Sequence, residues 1–367
     1  MPLYLTDDQA MLRDTAREFM AAEGAISKQL RHWRDRNCKD GFGHGLWKQF
    51  AEMGFTGILI DEADGGLGLG HVEAGIVLEE IGRNLTPSPF LITAVAVVEA
   101  LKGSALRERW YPGIISGETV AALAIDEGAK HRPEAIAMRA ERAGNGFRLT
   151  GRKQFVVQGA SADFFVVAAQ SQEGLGLFLV EKATNGLEVE GVRLADSSIG
   201  ARLDFNGVEV DADALIGDAA TLRRALDAGH VGAAAEMVGV GSAAMDMTVE
   251  YLRQRKQFGR LIGEFQTLQH RSAHLYSEIE IARAATLKAQ QLLDEGSGEA
   301  EAMVSVAKAK AGRVSTLAVQ EGVQMHGGIG MTDEYDIGLY MKRDRVLNEL
   351  FGDPNYHADR LARLKGY

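Results

Sequence analysis

Cys38 is the only cysteine in 367 residues, which excludes an intramolecular disulfide and a cysteine-ligated zinc site, and no other metal site is expected. Prolines number six, few for this length, so long uninterrupted helices are permitted. No stretch reaches ~18 uninterrupted apolar residues, so no segment is expected to span a membrane. The first ten residues carry Asp7 and Asp8 and no basic cluster ahead of an apolar run, which does not fit a signal peptide. A soluble, cytoplasmic protein is the expectation. Basic residues are outnumbered, giving a net charge of −11 that repels phosphate backbones and argues against nucleic acid as a partner. A phosphorylated cofactor stays open, because local geometry can override the global field.

The chain is long enough for more than one core, and its texture changes twice. Residues 1–118 read as helical: Thr6-Asp7-Asp8-Gln9 places a capping residue before Met11, Leu12, Ala16 and Phe19 at helix-like spacing. Residues 64–70 form a glycine-rich loop, followed by a helix over 71–83 that ends before Pro87. Residues 119–217 hold short strand-like runs, at 121–125, 147–157, 164–169 and 175–180, with polar turns and no intervening helices. They predict a compact β-barrel or sandwich rather than a parallel βαβ sheet. Residues 218–367 turn helical again, in long patterns near 220–254, 264–294 and 299–326 with short breaks, which reads as an antiparallel bundle.

Two motifs carry chemistry. In Arg253-Gln254-Arg255-Lys256-Gln257-Phe258-Gly259-Arg260, the plain reading is a helix end, a glycine break and a new helix start. The functional one has Arg255 and Gln257 facing a pyrophosphate while Phe258 packs on a ring, since arginine gives planar, charge-assisted bonds to phosphate oxygens. In Gln324-Met325-His326-Gly327-Gly328-Ile329-Gly330, the glycines either cap a helix or let a ligand approach the backbone. His326 has no partner carboxylate nearby in sequence and is not read as a base or ligand. Gly239-Val240-Gly241-Ser242-Ala243-Ala244 fits a loose dinucleotide pattern but lies in a helical run after no strand. Its small residues are expected to let two helices pack closely.

Together these motifs, with residues 46–55, Gly65-Gly66-Leu67-Gly68 and Glu79-Glu80-Ile81-Gly82-Arg83, resemble the acyl-CoA dehydrogenase family over nearly the whole chain and in the right order. The resemblance implies a helical N-terminal domain (1–118), a middle β-domain (119–217) and a C-terminal four-helix bundle (218–367). It implies FAD as cofactor, a tetramer, an electron-transfer acceptor protein and α,β-dehydrogenation of an acyl-CoA thioester. Arg255, Gln257 and Phe258 look like the family residues that contact the FAD of a neighbouring subunit. Gln324, Gly327 and Gly328 look like the loop that holds the adenosine pyrophosphate of that FAD.

The chain departs from the family where the reaction happens. The family's catalytic glutamate falls, by ungapped count from Gly327, on Phe351, which cannot accept a proton. The alternative base position of some members falls on Gly229. Asp353, two residues past the expected position, is the first candidate for a displaced base; Glu349 and Glu236 follow, and each is also readable as a solvated or capping carboxylate. On the strand that faces the flavin, Val157 stands in place of a hydroxyl, beside Gln158, and the loop 125–132 is eroded too. Two readings follow: a dehydrogenase lacking the usual glutamate, or a partner subunit that completes the FAD site of a sister chain. Two-chain members of the family are associated with steroid side-chain catabolism, so a bulky acyl group is expected.

Overall fold

The computed structural model describes residues 3–367. In chain order the helices are α1 (Asp7–Ala22), α2 (Leu30–Asp35), α3 (His44–Glu52), α4 (His71–Asn84), α5 (Val98–Leu101), α6 (Arg107–Ile115), α7 (Ala219–Gln254), α8 (Gln266–Asp294), α9 (Ala300–His326), α10 (Ile337–Glu349) and α11 (Pro354–Leu364). The strands are β1 (Ala121–Ala124), β2 (Arg139–Ala143), β3 (Gly146–Val157), β4 (Phe164–Ser171), β5 (Gly174–Glu181), β6 (Leu187–Arg193), β7 (Ile199–Val210), β8 (Leu215–Asp218), β9 (Lys256–Gln257) and β10 (Arg260–Leu261). Packing groups them into two compact units that alternate along the sequence. One comprises the N-terminal stretch to Lys28, Gly75–Thr86 and His230–Tyr367; the other comprises Gln29–Ala74 and Pro87–Gly229.

The first unit is helical. At the start of α1, Thr6 Oγ1 accepts from the Gln9 backbone (3.3 Å) and Gln9 Oε1 accepts from the Thr6 backbone (3.0 Å), a reciprocal cap that satisfies two otherwise orphaned donors. Helix α9 is the hub against which α8, α10 and α11 pack. The glycines of the loose dinucleotide pattern do the helix-packing work expected of small residues. A Cβ on Gly239 would lie 2.0 Å from the Glu79 carbonyl oxygen, and one on Gly82 would lie 2.1 Å from that of Glu236, so α4 and α7 cross backbone to backbone. A mid-helix glycine-to-alanine change ordinarily gains up to about 1 kcal/mol. Gly239→Ala is expected to reverse that sign and destabilise by about 1–3 kcal/mol, because two backbones cannot yield as a side chain can; a denaturant melt checks it.

The second unit is built on one mixed, eight-stranded sheet of order β6-β7-β3-β2-β4-β5-β8, with β1 parallel to β4. On β3, Phe147, Leu149 and Lys153 take the inward phase while Arg148, Thr150 and Arg152 point out, the period-2 pattern of a half-buried strand. The run Phe90–Val97, apolar but for Thr93 and with no readable period, forms a fully buried π-helical segment leading into α5. Among the described residues no helix is long and apolar enough to cross a membrane.

Candidate active site

The arginine-rich motif does not pass directly from one helix into the next. After α7 ends, the Arg255 amide still donates to the Tyr251 carbonyl (2.9 Å), and then β9 and β10 pair antiparallel, Gln257 opposite Arg260. The two residues between them, Phe258 (φ +52°) and Gly259 (φ +79°), are both left-handed, the signature of a two-residue hairpin turn that matches strand twist. Phe258 sits at its tip and is 92% exposed. Arg255 and Gln257 are exposed as well, and Arg255 makes no ion pair among the described residues. Behind the tip, the Arg260 guanidinium lies 4.0 Å over the Phe265 ring, and Phe265 meets Phe258 edge-on at 6.3 Å. A small projecting arm results, presenting an aromatic ring and unpaired guanidinium chemistry outward.

The diglycine motif ends α9. Gly327 adopts φ +64°, ψ −138°, a conformation essentially reserved for glycine. No atom lies within 4 Å of where a Cβ on Gly327 or Gly328 would sit, so this exposed backbone is open to close approach. Gln324, one turn earlier, is exposed too. His326 points inward: Nδ1 lies 2.6 Å from the Gly322 carbonyl, and the ring stacks on Tyr251 at 4.5 Å. Burial lowers its pKa, so it is neutral at physiological pH and structural. Because the same Tyr251 lies one turn before Arg255, this stack brings the diglycine end of α9 beside the base of the hairpin. The fold thus joins the two motifs.

On the sheet, a bulge between Lys153 and Val156 holds Phe155 at φ +54°, and β3 ends at Val157. Val157 is buried and offers no polar side-chain atom. Gln158 (φ +63°) donates through Nε2 to the Ser88 carbonyl (3.3 Å), and its Oε1 is buried without a partner among the described residues. Sequence reasoning missed the pair beneath them. Lys153 is fully buried and donates to the Ile125 carbonyl (3.0 Å) and to Glu127 Oε1 (2.7 Å), while Glu127 also accepts from the Ala137 and Met138 amides. Burial pushes the Lys153 ammonium down against the pull of Glu127; the Glu127 carboxyl, though raised by burial, is held below its ordinary value by Lys153 and the two amides. The pair staples the loop after β1 to β3. Its signal was present in the strand period, which puts Lys153 on the inward side.

The turn between α10 and α11 carries Phe351, left-handed at φ +60° and buried, with its ring edge-on to His230 at 6.0 Å. The candidate carboxylates around it all have structural partners. Asp353 Oδ1 accepts from the Asn355 (3.0 Å) and Tyr356 (2.9 Å) amides, which makes it the N-cap of α11. Glu349 pairs with Arg345 one turn back at 3.2 Å. Glu236, with a 2% exposed side chain, is bound by Arg343 through Nε (2.7 Å) and Nη2 (2.6 Å). Gly229 lies within α7 and has no side chain to offer.

The chain matches the family profile described as "Acyl-CoA dehydrogenase, N-terminal domain" over residues 6–118 and "Acyl-CoA dehydrogenase, C-terminal domain" over 219–365. It is 31% identical to acyl-CoA dehydrogenase FadE12 of Mycobacterium tuberculosis, over 86% of this chain and 86% of that one. It is 29% identical to cyclohex-1-ene-1-carbonyl-CoA dehydrogenase of Geobacter metallireducens, over 96% of each. Among solved structures, a variant of the Tcur3481-Tcur3483 steroid ACAD superposes with a TM-score of 0.91 at 29% identity, covering 98% of each chain.

Proposed function

We propose that this chain, which belongs to the acyl-CoA dehydrogenase family of FAD-dependent oxidoreductases acting on CH–CH bonds, works as one subunit of a two-chain enzyme in which a sister chain supplies the base. The observation that carries the reading is the turn at 351. An aromatic ring stands at 351, where the ungapped count from Gly327 puts the family's base, and Asp353, Glu349 and Glu236 are each committed to a cap or an ion pair. A general base must reach the proton it removes with a free lone pair; a carboxylate already accepting two backbone amides or a guanidinium is a poor proton acceptor.

The helical face of the chain fits a flavin nucleotide held from outside. In this reading exposed Arg255 and Gln257 would bond a pyrophosphate, Phe258 would cover a ring, and Gln324, Gly327 and Gly328 would receive the adenosine pyrophosphate; their exposure and the open backbone at the glycines support it. The strand offers less, since Val157 has no hydroxyl. When bound, FAD supplies the acceptor for the hydride that leaves Cβ of the thioester. The chain's own contribution is to bind and orient that cofactor for its neighbour, in a heterotetramer that passes electrons to a separate acceptor protein. The chain divides functionally into 1–118, 119–217 and 218–367. Relatives named for steroid and cyclohexene-carbonyl substrates support a bulky acyl group.

An absorbance spectrum of the purified chain, alone and co-expressed with a homologous sister chain, tests the reading. The expected result is a colourless chain that gains flavin and acyl-CoA-dependent bleaching only with the sister. A yellow chain with one FAD per protomer that bleaches alone with acyl-CoA would overturn it and make Asp353 the first residue to replace.

A further inference from the structure

Between α10 and α11 two successive residues are left-handed, Phe351 at φ +60° and Gly352 at φ +94°. For phenylalanine that conformation is strained by its Cβ, and such residues persist only where the surroundings over-determine them. Here they do. Lys308 Nζ, on α9, donates to the carbonyls of Leu347 (3.0 Å) and Gly352 (3.1 Å). His357 Nε2, on α11, lies 2.9 Å from the Phe351 carbonyl; a carbonyl only accepts, so this nitrogen carries the proton. Two carbonyls of the turn and one at the end of α10 are therefore held by two side chains, both fully buried. One turn beyond Lys308, a Cβ on Gly312 would meet Asn348 Oδ1 at 2.6 Å and Pro354 Cγ at 2.9 Å, so α9 lies directly against the turn.

Burying a lysine is expensive and needs compensation. Burial pushes the Lys308 amine down to about 7, against the opposing pull of Asp344, Asp353 and Glu349. A neutral amine keeps two N–H groups, enough for the two carbonyls it meets. Burial, with His230 and Lys308 nearby, pushes the His357 pKa far down as well, so His357 stays neutral. All three bonds end on backbone carbonyls, so both side chains act on the backbone.

We propose that Lys308 and His357 are positioning residues that set the backbone of residues 350–353, and with it the place of the residue-351 side chain, whatever that side chain is. Its meaning for catalysis rests on the reading above, in which 351 is the base position of the family. The chain holds the full apparatus for delivering a side chain to that point and uses it to seat an aromatic ring against His230.

Amide hydrogen exchange of the full chain, read by mass spectrometry over residues 350–356 and over α8, tests this. Lys308→Met and His357→Leu are expected to speed exchange of 350–356 about tenfold or more with α8 unchanged, while His357→Gln, whose amide can donate to the same carbonyl, and Phe351→Ala stay within about threefold of the parent. The proposal is overturned if Phe351→Ala loosens the turn as much as Lys308→Met does, if neither Lys308→Met nor His357→Leu loosens it, or if the loss spreads equally to α8. Should Lys308→Met fail to fold, the His357→Leu and His357→Gln pair decides alone. The readout needs no flavin and no sister chain, so a self-sufficient enzyme would end the functional reading without touching this result.

Discussion

Arg255→Ala is expected to weaken FAD binding by the assembled enzyme about ten- to a hundredfold, the loss of one charge-assisted bond to phosphate. The same change should move the melting temperature of the chain alone by only about a degree or two, because exposed side chains without partners contribute little to stability. The Arg255 side chain is exposed and makes no ion pair among the described residues, so removing it leaves the fold's own contacts intact. Flavin titration followed by fluorescence reads the affinity. Arg253→Ala, which removes the same charge two residues earlier in the last turn of α7, is the control. Equal losses in both variants would mean that only the general electrostatic field matters and that the hairpin does not address a phosphate.

The second large effect is on stability. Glu236→Ala removes one partner of a buried ion pair and leaves the Arg343 guanidinium, whose side chain is 18% exposed, without its carboxylate. Breaking such a pair from one side costs about 3 kcal/mol, which for a unit of this size lowers the melting temperature by roughly 6–12 °C. Replacing both residues with methionine should recover most of the loss, since a well-packed apolar pair can substitute for a buried ionic one. The outcome that sinks this account is a Glu236→Ala protein of parental stability that has lost dehydrogenase activity in the complex. That would return Glu236 to the role of base.

These expectations separate what is local in the chain from what is not. The capping box at Thr6 and Gln9, the long helices α7, α8 and α9, the strand period of β3 and the tight α4–α7 crossing at Gly239 are all written in neighbouring residues. Local periodicity and small side chains act over a few positions. The phenylalanine at 351 is likewise a matter of residue identity. The β9–β10 hairpin was not legible, because two-residue strands carry no period. A capping role was one reading of Asp353, and the direction the chain takes after left-handed Phe351 decided it against that of a base.

Lys308 and Lys310 make the limit plain. They stand two residues apart in a repetitive alanine–lysine stretch of α9 and look alike in sequence, yet on a helix they face nearly opposite ways. Lys310 reaches a half-buried Glu278 on α8 at 2.5 Å, while Lys308 is sealed inside against the turn at 351. The partners of Glu236 and of Lys308 lie on helices distant in sequence, and no local pattern names them. The sequence by itself determined the long helices, several of the strands, the family resemblance and the phenylalanine at position 351. Only the tertiary structure decided which carboxylates are already spent and which lysine is buried, because burial and pairing are set by what other segments bring to the same place.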